Sequence, residues 1–293
     1  MIQSRSISWI VESNRLSPHQ KGSLPCNGLQ THVFSMKTAI SDFLHTSGKK
    51  YLCYVDIRDA FGSINHEFML QELERAGYPP LFVNLTADVY SNSTFQVNTA
   101  HGLTEPITRH RGVIQGCPWS IIIFQQGIDQ WLRYVESSYP RNHQPNPIQG
   151  YVDDVSMMAD SLEELNVMTD KTTEFLNYTG MEAKPRKCAV TSAQRTGNNY
   201  KPSPTASISI QEKTIPYLNK EDTYKYLGYD INLTNTANDN QCDKLIVQFK
   251  STMSKISLAP LSISIKCKLI QTLCISPLMF FFQNLFFTEI QIN

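Results

Sequence analysis

Two adjacent carboxylates, Asp153 and Asp154, lie between apolar, β-prone residues in the middle of this chain. Tyr151-Val152 comes before the pair and Val155 follows it, a pattern that predicts two strands meeting at an acidic tip. Neighbouring carboxylates repel each other unless a cation lies beside them. Aspartate is also a common turn residue, so the pair alone favours an ordinary turn. A second acidic site upstream favours metal binding instead.

The second site is Asp56, which follows the apolar run at residues 51–55. This run predicts a short buried strand, and the residues after it predict a turn into a helix that Asn65 caps and Gly77 closes. Carboxylates at a strand end and at a hairpin tip can converge on two metal ions, which is how phosphoryl-transfer sites hold the attacking and leaving oxygens. Oxygen ligands in this number suit Mg²⁺. The residues therefore predict a two-metal site.

Five segments of the chain follow one another in a specific order and spacing. They are Asp56-x-x-x-Ala60-Phe61, Gln115-Gly116-Cys117-Pro118-Trp119-Ser120, Tyr151-Val152-Asp153-Asp154, Gly180-Met181-Glu182-Ala183-Lys184-Pro185-Arg186-Lys187-Cys188 and Tyr226-Leu227-Gly228. In these segments the chain resembles reverse transcriptases, and it is similar to the polymerases of non-LTR (LINE-type) retrotransposons, of the R2-like kind. The order and spacing make the resemblance specific, and it runs from Gln20 to Leu285.

The resemblance implies an α+β fold, which is a right-hand polymerase palm with an antiparallel sheet and packed helices, incomplete fingers and the start of a helical thumb. The fingers would take residues 1–50 and 64–113, the palm residues 51–63 and 114–231, and the thumb residues 232–293. Local patterns also predict helices mixed with hairpins. Helices are predicted at residues 33–44, 69–76, 121–135 and 162–175 and after Asn232, and strands or hairpins at residues 94–111, 187–191 and 224–231. Ser161 and Glu164 match a capping box at the start of the fourth helix, which extends toward Gly180.

The resemblance gives the charged residues their roles. Asp56, Asp153 and Asp154 would hold two Mg²⁺ ions, with Mn²⁺ as the alternative ion. Lys187 would lie near the leaving pyrophosphate as a general acid or an electrostatic support. Without the motif, Lys187 would be read as an ordinary surface lysine.

Three further sets of residues would contact the nucleotide or the primer. Phe61, directly after Ala60, would lie under the sugar of the incoming nucleotide and exclude a 2′-hydroxyl, whereas an aromatic without the motif is ordinarily core. The loop at Gln115-Gly116 would touch the nucleotide and the template, because glycine lets the backbone approach a ligand closely. Tyr226-Leu227-Gly228 resembles the hairpin that grips the primer end.

Composition, net charge and cysteine content indicate what kind of protein could contain such a site. The 293 residues are 41% hydrophobic, enough for a substantial core, and Lys+Arg equal Asp+Glu at 26 each. Nucleic-acid enzymes normally carry an excess of cations, so any basic surface must be local. The seven cysteines contain no Cys-x-x-Cys pair, so neither a disulfide framework nor a zinc site is indicated, and a reducing, intracellular location is expected.

The apolar stretch Leu273–Phe287 is interrupted by Pro277 and falls short of the ~20 residues of a membrane helix. We therefore interpret it as a core helix and expect no membrane partner.

Several positions depart from the family pattern. Cys117, Trp119 and Ile121 replace residues that are usual after Gln-Gly, and Lys184 stands where asparagine is usual. The basic fingers segment that clamps the triphosphate is expected to be missing before Gln20. The sequence is therefore expected to be a fragment of a polyprotein, without domains such as an endonuclease.

The implied function is RNA-directed DNA polymerisation by two-metal nucleotidyl transfer. Its partners would be an RNA template, a DNA primer, deoxynucleoside triphosphates and other polyprotein domains such as an endonuclease. Two alternatives stay open at this point. A degenerate or co-opted domain could bind RNA without catalysis, which triphosphate-dependent primer extension would distinguish. An RNA-directed RNA polymerase shares the palm, and the choice between ribo- and deoxynucleotides would distinguish it.

Overall fold

A computed structural model describes residues 2–46, 48–117, 119–138, 147–197, 199–202, 207–219, 222–234, 236–285 and 287. The chain forms two compact units. The first comprises Met1–Gly28, Lys49–Ser192 and Ser203–Tyr217, and the second comprises Leu29–Gly48, Ala193–Pro202 and Leu218–Asn293. This division does not test the finger, palm and thumb boundaries, which stay a prediction.

Helices and strands occur largely in separate runs along the described residues. The helices are α1 (Ile2–Glu12), α2 (Gly28–His45), α3 (Ala60–Ser63), α4 (His66–Arg75), α5 (Pro80–Ser91), α6 (Ser120–Ser137), α7 (Leu162–Thr179), α8 (Thr236–Leu258), α9 (Ile263–Ile270) and α10 (Ser276–Phe281), with a π-helical turn at Gln271–Ile275. The strands are β1 (Gly48–Val55), β2 (Thr94–Phe95), β3 (Asn98–Thr99), β4 (Gly102–Leu103), β5 (Ile107–Thr108), β6 (Ile148–Tyr151), β7 (Asp154–Ala159), β8 (Ala189–Thr196), β9 (Asn199–Pro202), β10 (Ser209–Ile210), β11 (Lys213–Thr214), β12 (Tyr224–Tyr226) and β13 (Tyr229–Ile231).

The first unit is built on a sheet in the order β6-β7-β1-β8. Strand β7 is antiparallel to both β6 and β1. Helices α6 and α7 pack against β6 and β7, and Trp131 of α6 stacks on Phe175 of α7 with ring centres 5.7 Å apart. Burying a side chain of this size stabilises the fold by roughly 1.5–3 kcal/mol. The packing holds the strand ends of the sheet in fixed positions.

The helix ends predicted from the sequence are confirmed. Asn65 Oδ1 accepts hydrogen bonds from the backbone N–H groups of Glu67 and Phe68 at the start of α4. Ser161 and Glu164 form a complete capping box at the start of α7. Gly180, with φ of 69°, ends α7 in the left-handed conformation that glycine adopts at low steric cost.

The predicted hairpins are present with adjusted limits. β2 pairs with β5 and β3 pairs with β4, which confirms the hairpin predicted over residues 94–111. Residues 224–231 form two antiparallel strands, β12 and β13, which confirms the hairpin predicted there. Leu227 and Gly228 have positive φ angles of 49° and 88°, so the chain turns between the two strands.

In the second unit, one buried hydrogen-bond network links α2, β13 and the end of α10. The Tyr229 hydroxyl lies 2.9 Å from Gln30 Oε1 and 2.7 Å from the Phe280 carbonyl oxygen. Asn284 Nδ2 donates to the Gln30 carbonyl oxygen over 3.1 Å. Buried polar groups satisfied in this way fix the helix end in place.

The helical run Ile263–Phe281 is largely exposed. Within it, Cys274 is the buried side chain, whereas Ile263 is 80% exposed. The interpretation of Leu273–Phe287 as a core helix is therefore wrong for the described residues as far as Phe282. Pro277 does not interrupt the run, because it lies in the first turn of α10, where its missing N–H is tolerated. By length and composition the run could cross a membrane, so the prediction that this part of the chain is too short for a membrane helix is also wrong. The absence of a membrane partner stays a prediction.

Candidate active site

Asp56 lies directly after β1, at the end of a strand whose residues Tyr51–Val55 are all buried. Its backbone is held on both sides. The Asp56 N–H donates to Cys188 Sγ over 3.4 Å, and the Asp56 carbonyl oxygen accepts from the Lys184 N–H over 2.8 Å. With the backbone engaged in the fold, the partly exposed carboxylate is the group that can meet a ligand.

Asp153 belongs to the turn that joins β6 to β7. Tyr151 and Asp154 are the last paired residues, so Val152 and Asp153 form a two-residue turn. Val152 has φ of 62°, in the left-handed region that β-branched residues rarely adopt. Such a conformation costs about 1–3 kcal/mol and persists only where the surroundings hold it. The acidic tip predicted from the sequence is therefore a tight and strained turn.

The register of β1 against β7 brings the two acidic sites together. The last paired residues are Val55 and Val155, so one step further along the ladder Asp56 lies opposite Asp154. Directly opposed residues on antiparallel strands have Cβ atoms about 4.5–5.5 Å apart. The backbone thus places the acidic sites side by side, and their role as metal ligands stays a prediction.

Burial and neighbouring charges raise the pKa of Asp153 and of Asp154. Desolvation, followed by the charges of Asp153 and Asp56, raises the pKa of Asp154 to about 6. Desolvation chiefly, with the charge of Asp56 adding to it, also raises the pKa of Asp153, and Lys187 acts in the opposite direction. A cation relieves repulsion of this kind, so the site favours a positively charged ligand.

Lys187 brings a cationic side chain to this cluster. Its Nζ lies 3.6 Å from Asp56 Oδ2, and its backbone N–H donates to the Lys184 carbonyl oxygen over 2.9 Å in the turn before β8. The Lys187 side chain is 60% exposed, so this ion pair contributes little to stability. The ammonium can therefore turn toward an anionic ligand at small cost.

The donor set fits a divalent cation in its chemistry, because carboxylate oxygens are the ligands that Mg²⁺ prefers. Among the residues that the structure describes, no three His, Cys, Asp or Glu side chains are gathered closely enough to hold one ion. The carboxylates lie side by side without forming a closed cage.

The predicted nucleotide-contacting residues fall on two segments of the first unit. Ala60 is buried at the start of α3, and Phe61 is partly buried and stacks on Phe124 with ring centres 4.3 Å apart. Gln115 and Gly116 are exposed in the loop before α6, and Gly116 has φ of 82°. The Val113 N–H donates to the Phe61 carbonyl oxygen over 2.7 Å, which joins this loop to α3. The nucleotide contacts stay a prediction.

The predicted primer-grip residues Tyr226, Leu227 and Gly228 lie in the second unit, at the turn of the β12–β13 hairpin. Tyr226 is buried. A side chain on Gly228 would begin 3.5 Å from the Phe280 ring, and its φ of 88° already favours glycine. The hairpin is present, and its contact with a primer stays a prediction.

Sequence reasoning did not single out Cys188, which the structure places against the backbone of Asp56. Its thiol donates to the Asp56 carbonyl oxygen over 3.6 Å. Burial raises the pKa of Cys188, which keeps the thiol protonated as a donor. The one signal in the sequence was its position directly after Lys187.

Comparison with solved structures shows the fold. Apo telomerase from Candida tropicalis, truncated from its C-terminal domain, aligns with a TM-score of 0.56 and 13% identity over 79% of this chain and 43% of that chain. The telomerase of the same organism in complex with a fragment of telomeric RNA aligns with a TM-score of 0.56 and 11% identity over 96% of this chain and 46% of that chain. These similarities confirm the predicted α+β polymerase palm.

Comparison of sequences shows the family. The profile of the family described as reverse transcriptase (RNA-dependent DNA polymerase) matches residues 1–231. The chain therefore belongs to the reverse transcriptase family.

Similar curated proteins place the chain near one group of elements in that family. It is 26% identical to the Pol polyprotein of the type-2 retrotransposable element R2DM of Drosophila melanogaster, over 82% of this chain and 22% of that protein. It is 23% identical to the Pol polyprotein of the type-1 retrotransposable element R2 of Popillia japonica, over 92% of this chain and 38% of that protein. The resemblance to R2-like non-LTR polymerases is confirmed, and the chain spans about a fifth to two fifths of the length of these relatives.

Proposed function

We propose that this chain is an RNA-directed DNA polymerase that extends a DNA primer along an RNA template. The observation that supports this most directly is the position of Asp56 opposite Asp154, at the ends of paired strands in a member of the reverse transcriptase family. The chain's similarity to R2 polyproteins supports a retrotransposon as its source. A telomerase with a similar fold has been solved with telomeric RNA, which supports an RNA partner.

In this proposal, Asp56, Asp153 and Asp154 would hold two Mg²⁺ ions, or Mn²⁺ as the alternative. When bound, such an ion pair would activate the primer hydroxyl and neutralise the triphosphate. The primer 3′-hydroxyl releases its proton to solvent, and its oxygen forms a bond to the α-phosphorus of the nucleotide as the bond between that phosphorus and the pyrophosphate oxygen breaks. Lys187, beside Asp56, supplies an ammonium that donates a proton to the pyrophosphate or stabilises its charge.

The remaining residues bind and select in this proposal. Phe61, fixed from one side by Phe124, lies under the sugar of the incoming deoxynucleotide, next to Ala60. Gln115 and Gly116 contact the nucleotide from an exposed loop. The turn of Tyr226, Leu227 and Gly228 holds the primer end. Other polyprotein domains such as an endonuclease act with this chain inside the cell, where its RNA template and nucleotides are found.

Primer extension tests the proposal directly. The 293-residue chain is incubated with poly(rA)/oligo(dT), Mg²⁺ and dTTP, in parallel with Asp153→Asn and with Asp170→Asn. Asp170 is an exposed aspartate on α7 and serves as the matched control. Loss of a metal-binding carboxylate is expected to lower the rate at least about a hundredfold, while Asp170→Asn behaves as wild type.

Equal rates in wild type and Asp153→Asn would contradict the metal role. An absence of synthesis by the wild type, with retained RNA binding, would favour a non-catalytic RNA-binding domain. Preference for UTP over dTTP would favour an RNA-directed RNA polymerase. Circular dichroism of each variant shows whether the fold is retained.

A further inference from the structure

Val152, the residue before Asp153, is held in its left-handed conformation by a side chain from far upstream. The Val152 N–H donates to Gln20 Oε1 over 2.9 Å, and Gln20 Nε2 donates to the Val152 carbonyl oxygen over 3.2 Å. One amide therefore satisfies both backbone polar groups of the strained residue. Gln20 is 132 positions away in sequence and only 1% exposed.

The backbone around Gln20 is itself fixed to the strand that leads into the turn. Gln20 and Gly150 form a parallel β-bridge. The Gly150 N–H donates to the His19 carbonyl oxygen over 2.9 Å, and the Lys21 N–H donates to the Gly150 carbonyl oxygen over 3.1 Å. The segment 19–21 thus runs beside β6 as a short extra strand and delivers the Gln20 amide to the turn.

Two glycines make room for this contact. A Cβ on Gly150 would begin 3.3 Å from Gln20 Nε2 and 2.9 Å from Leu132 Cδ1. A Cβ on Gly22 would begin 2.5 Å from Val152 N. The Gly22 N–H donates to Gln20 Oε1 over 3.0 Å, so the same oxygen accepts two N–H groups. A side chain at Gly22 would meet the Val152 backbone, and one at Gly150 would press against the Gln20 amide.

The chemistry of the contact is specific to an amide side chain. Glutamine has a donor and an acceptor on one rigid group, whereas glutamate when ionised only accepts and methionine of similar length offers neither in strength. Because Val152, Asp153 and Asp154 are consecutive, the conformation of Val152 sets the direction in which both carboxylates leave the turn. Mispositioning catalytic groups by about 1 Å can cost on the order of a hundredfold in rate.

The geometry points to Gln20 as a positioning residue, whose amide holds Val152 left-handed and thereby orients the Asp153 and Asp154 carboxylates. Its effect on catalysis rests on the proposed polymerase function. Its effect on the turn does not, and is measurable without activity.

Hydrogen exchange tests the structural part. In Gln20→Met the Val152 amide loses its buried acceptor, so it is expected to exchange at least about tenfold faster than in wild type, while amides of α6 and α7 are unchanged. Gln130→Met, at a partly exposed glutamine of α6, is the matched control and is expected to leave the turn unchanged. Unchanged exchange at Val152, or equally faster exchange throughout the first unit, would overturn the assignment.

Primer extension tests the catalytic part. Gln20→Met is expected to lower kcat by about tenfold or more, with KM for dTTP within about twofold. Adding Val152→Gly should restore most of kcat, because glycine adopts a φ of 62° without the steric cost that Gln20 offsets. A merely structural glutamine would give no such rescue, and lack of rescue would overturn the positioning role.

The two proposals fail separately. If the wild-type chain has no polymerase activity, the proposed function is contradicted. The hydrogen-exchange result at Val152 would then be the test of the role of Gln20. If Gln20→Met does not fold, the double variant Gln20→Met with Val152→Gly tests the inference. The inference requires that glycine at position 152 restore folding. Failure of the double variant to fold would overturn it.

Discussion

Lys187 Nζ lies 3.6 Å from Asp56 Oδ2, so a protein cation stands beside a carboxylate that is expected to bind a metal ion. The ammonium partly offsets the negative charge of the carboxylate cluster. It lowers the pKa of Asp153 and of Asp154, although burial and the neighbouring carboxylates raise both by more. Lys187 would therefore compete with a metal ion for binding to Asp56. Its ammonium is also positioned to bind an anionic leaving group or to donate a proton to it. The two roles predict opposite effects of its removal.

Lys187→Ala is expected to lower kcat for primer extension by about 10²–10⁴-fold, the usual contribution of a general acid, with little change in KM for the nucleotide. Because a competing cation is removed, the Mg²⁺ concentration for half-maximal rate should fall. Lys184→Ala, at an exposed lysine of the same turn, is the control and should change neither quantity. A normal kcat in Lys187→Ala would show that Lys187 is an ordinary surface lysine.

Phe61→Ala should weaken the choice of deoxynucleotides over ribonucleotides. The ring is fixed by stacking on Phe124, and its removal opens space for a 2′-hydroxyl. A single methylene in an apolar pocket changes selectivity by only ~1–3 kcal/mol, and removal of a whole ring should exceed that. The measurement is the ratio of kcat/KM for dGTP and rGTP on one template.

Phe61→Tyr keeps the ring and is the matched control for this experiment. It should retain the wild-type ratio of dGTP to rGTP use. Thermal unfolding of Phe61→Ala reports separately on the lost packing against Phe124. An unchanged nucleotide ratio together with a lowered melting temperature would identify Phe61 as a core residue alone.

Local patterns were enough to predict the strands and helix ends that carry the candidate site. The apolar, β-prone residues on both sides of Asp153 and Asp154 predicted the hairpin, and Ser161 predicted the start of α7, because both signals depend on residues close in sequence. The left-handed Val152 was not predictable. Valine disfavours that conformation, and what holds it is an amide 132 residues away.

Burial was the second property that the sequence did not determine. Leu273 and its neighbours have the composition of a core helix, yet Leu273 is half exposed. Apolar composition predicts that burial of a surface is favourable. It does not predict whether other residues of the same chain pack against that surface. The helical run also continues through Pro277, which lies in the first turn of α10, where the pattern predicted an interruption.

Exposed apolar residues at the end of α8 and the start of α9 should tolerate charge. Leu258 is 83% exposed and Ile263 is 80% exposed, so Leu258→Lys and Ile263→Lys should each change the free energy of unfolding by less than about 0.5 kcal/mol. Ile256, two positions before Leu258, is 6% exposed and is the matched control. Ile256→Lys should destabilise by several kcal/mol, because it buries an unpaired charge. Urea denaturation measures all three, and a large loss in Leu258→Lys would mean that this face is covered.

Lys37 gives the second unit a pH-dependent stability with a definite sign. Its Nζ donates to the Asn284 carbonyl oxygen over 2.7 Å and lies 5.5 Å from the centre of the Tyr229 ring. Burial lowers the pKa of Lys37 to about 8, and the neighbouring Cys242 acts in the opposite direction. Below pH 8 the lysine is protonated in both the folded and the unfolded chain, so the desolvation penalty is fully present. Between pH 8 and the ordinary lysine pKa of 10.5, the folded chain has released the proton that the unfolded chain still holds.

The free energy of unfolding is therefore expected to rise as the pH rises above 8, by at most about 1.4 kcal/mol per pH unit and by less for a partly exposed group. The difference between wild type and Lys37→Met isolates this contribution, and it should grow in favour of wild type from pH 7.5 to pH 9. The range stops there because the buried Cys242 thiol, with its pKa raised to about 11, contributes with the opposite sign at higher pH. Lys250→Met, at an exposed lysine of α8, is the control and should show a constant difference from wild type. Guanidinium denaturation at each pH supplies the values, and a difference for Lys37→Met that stays flat or declines over this range would show that Lys37 is not desolvated in the folded protein.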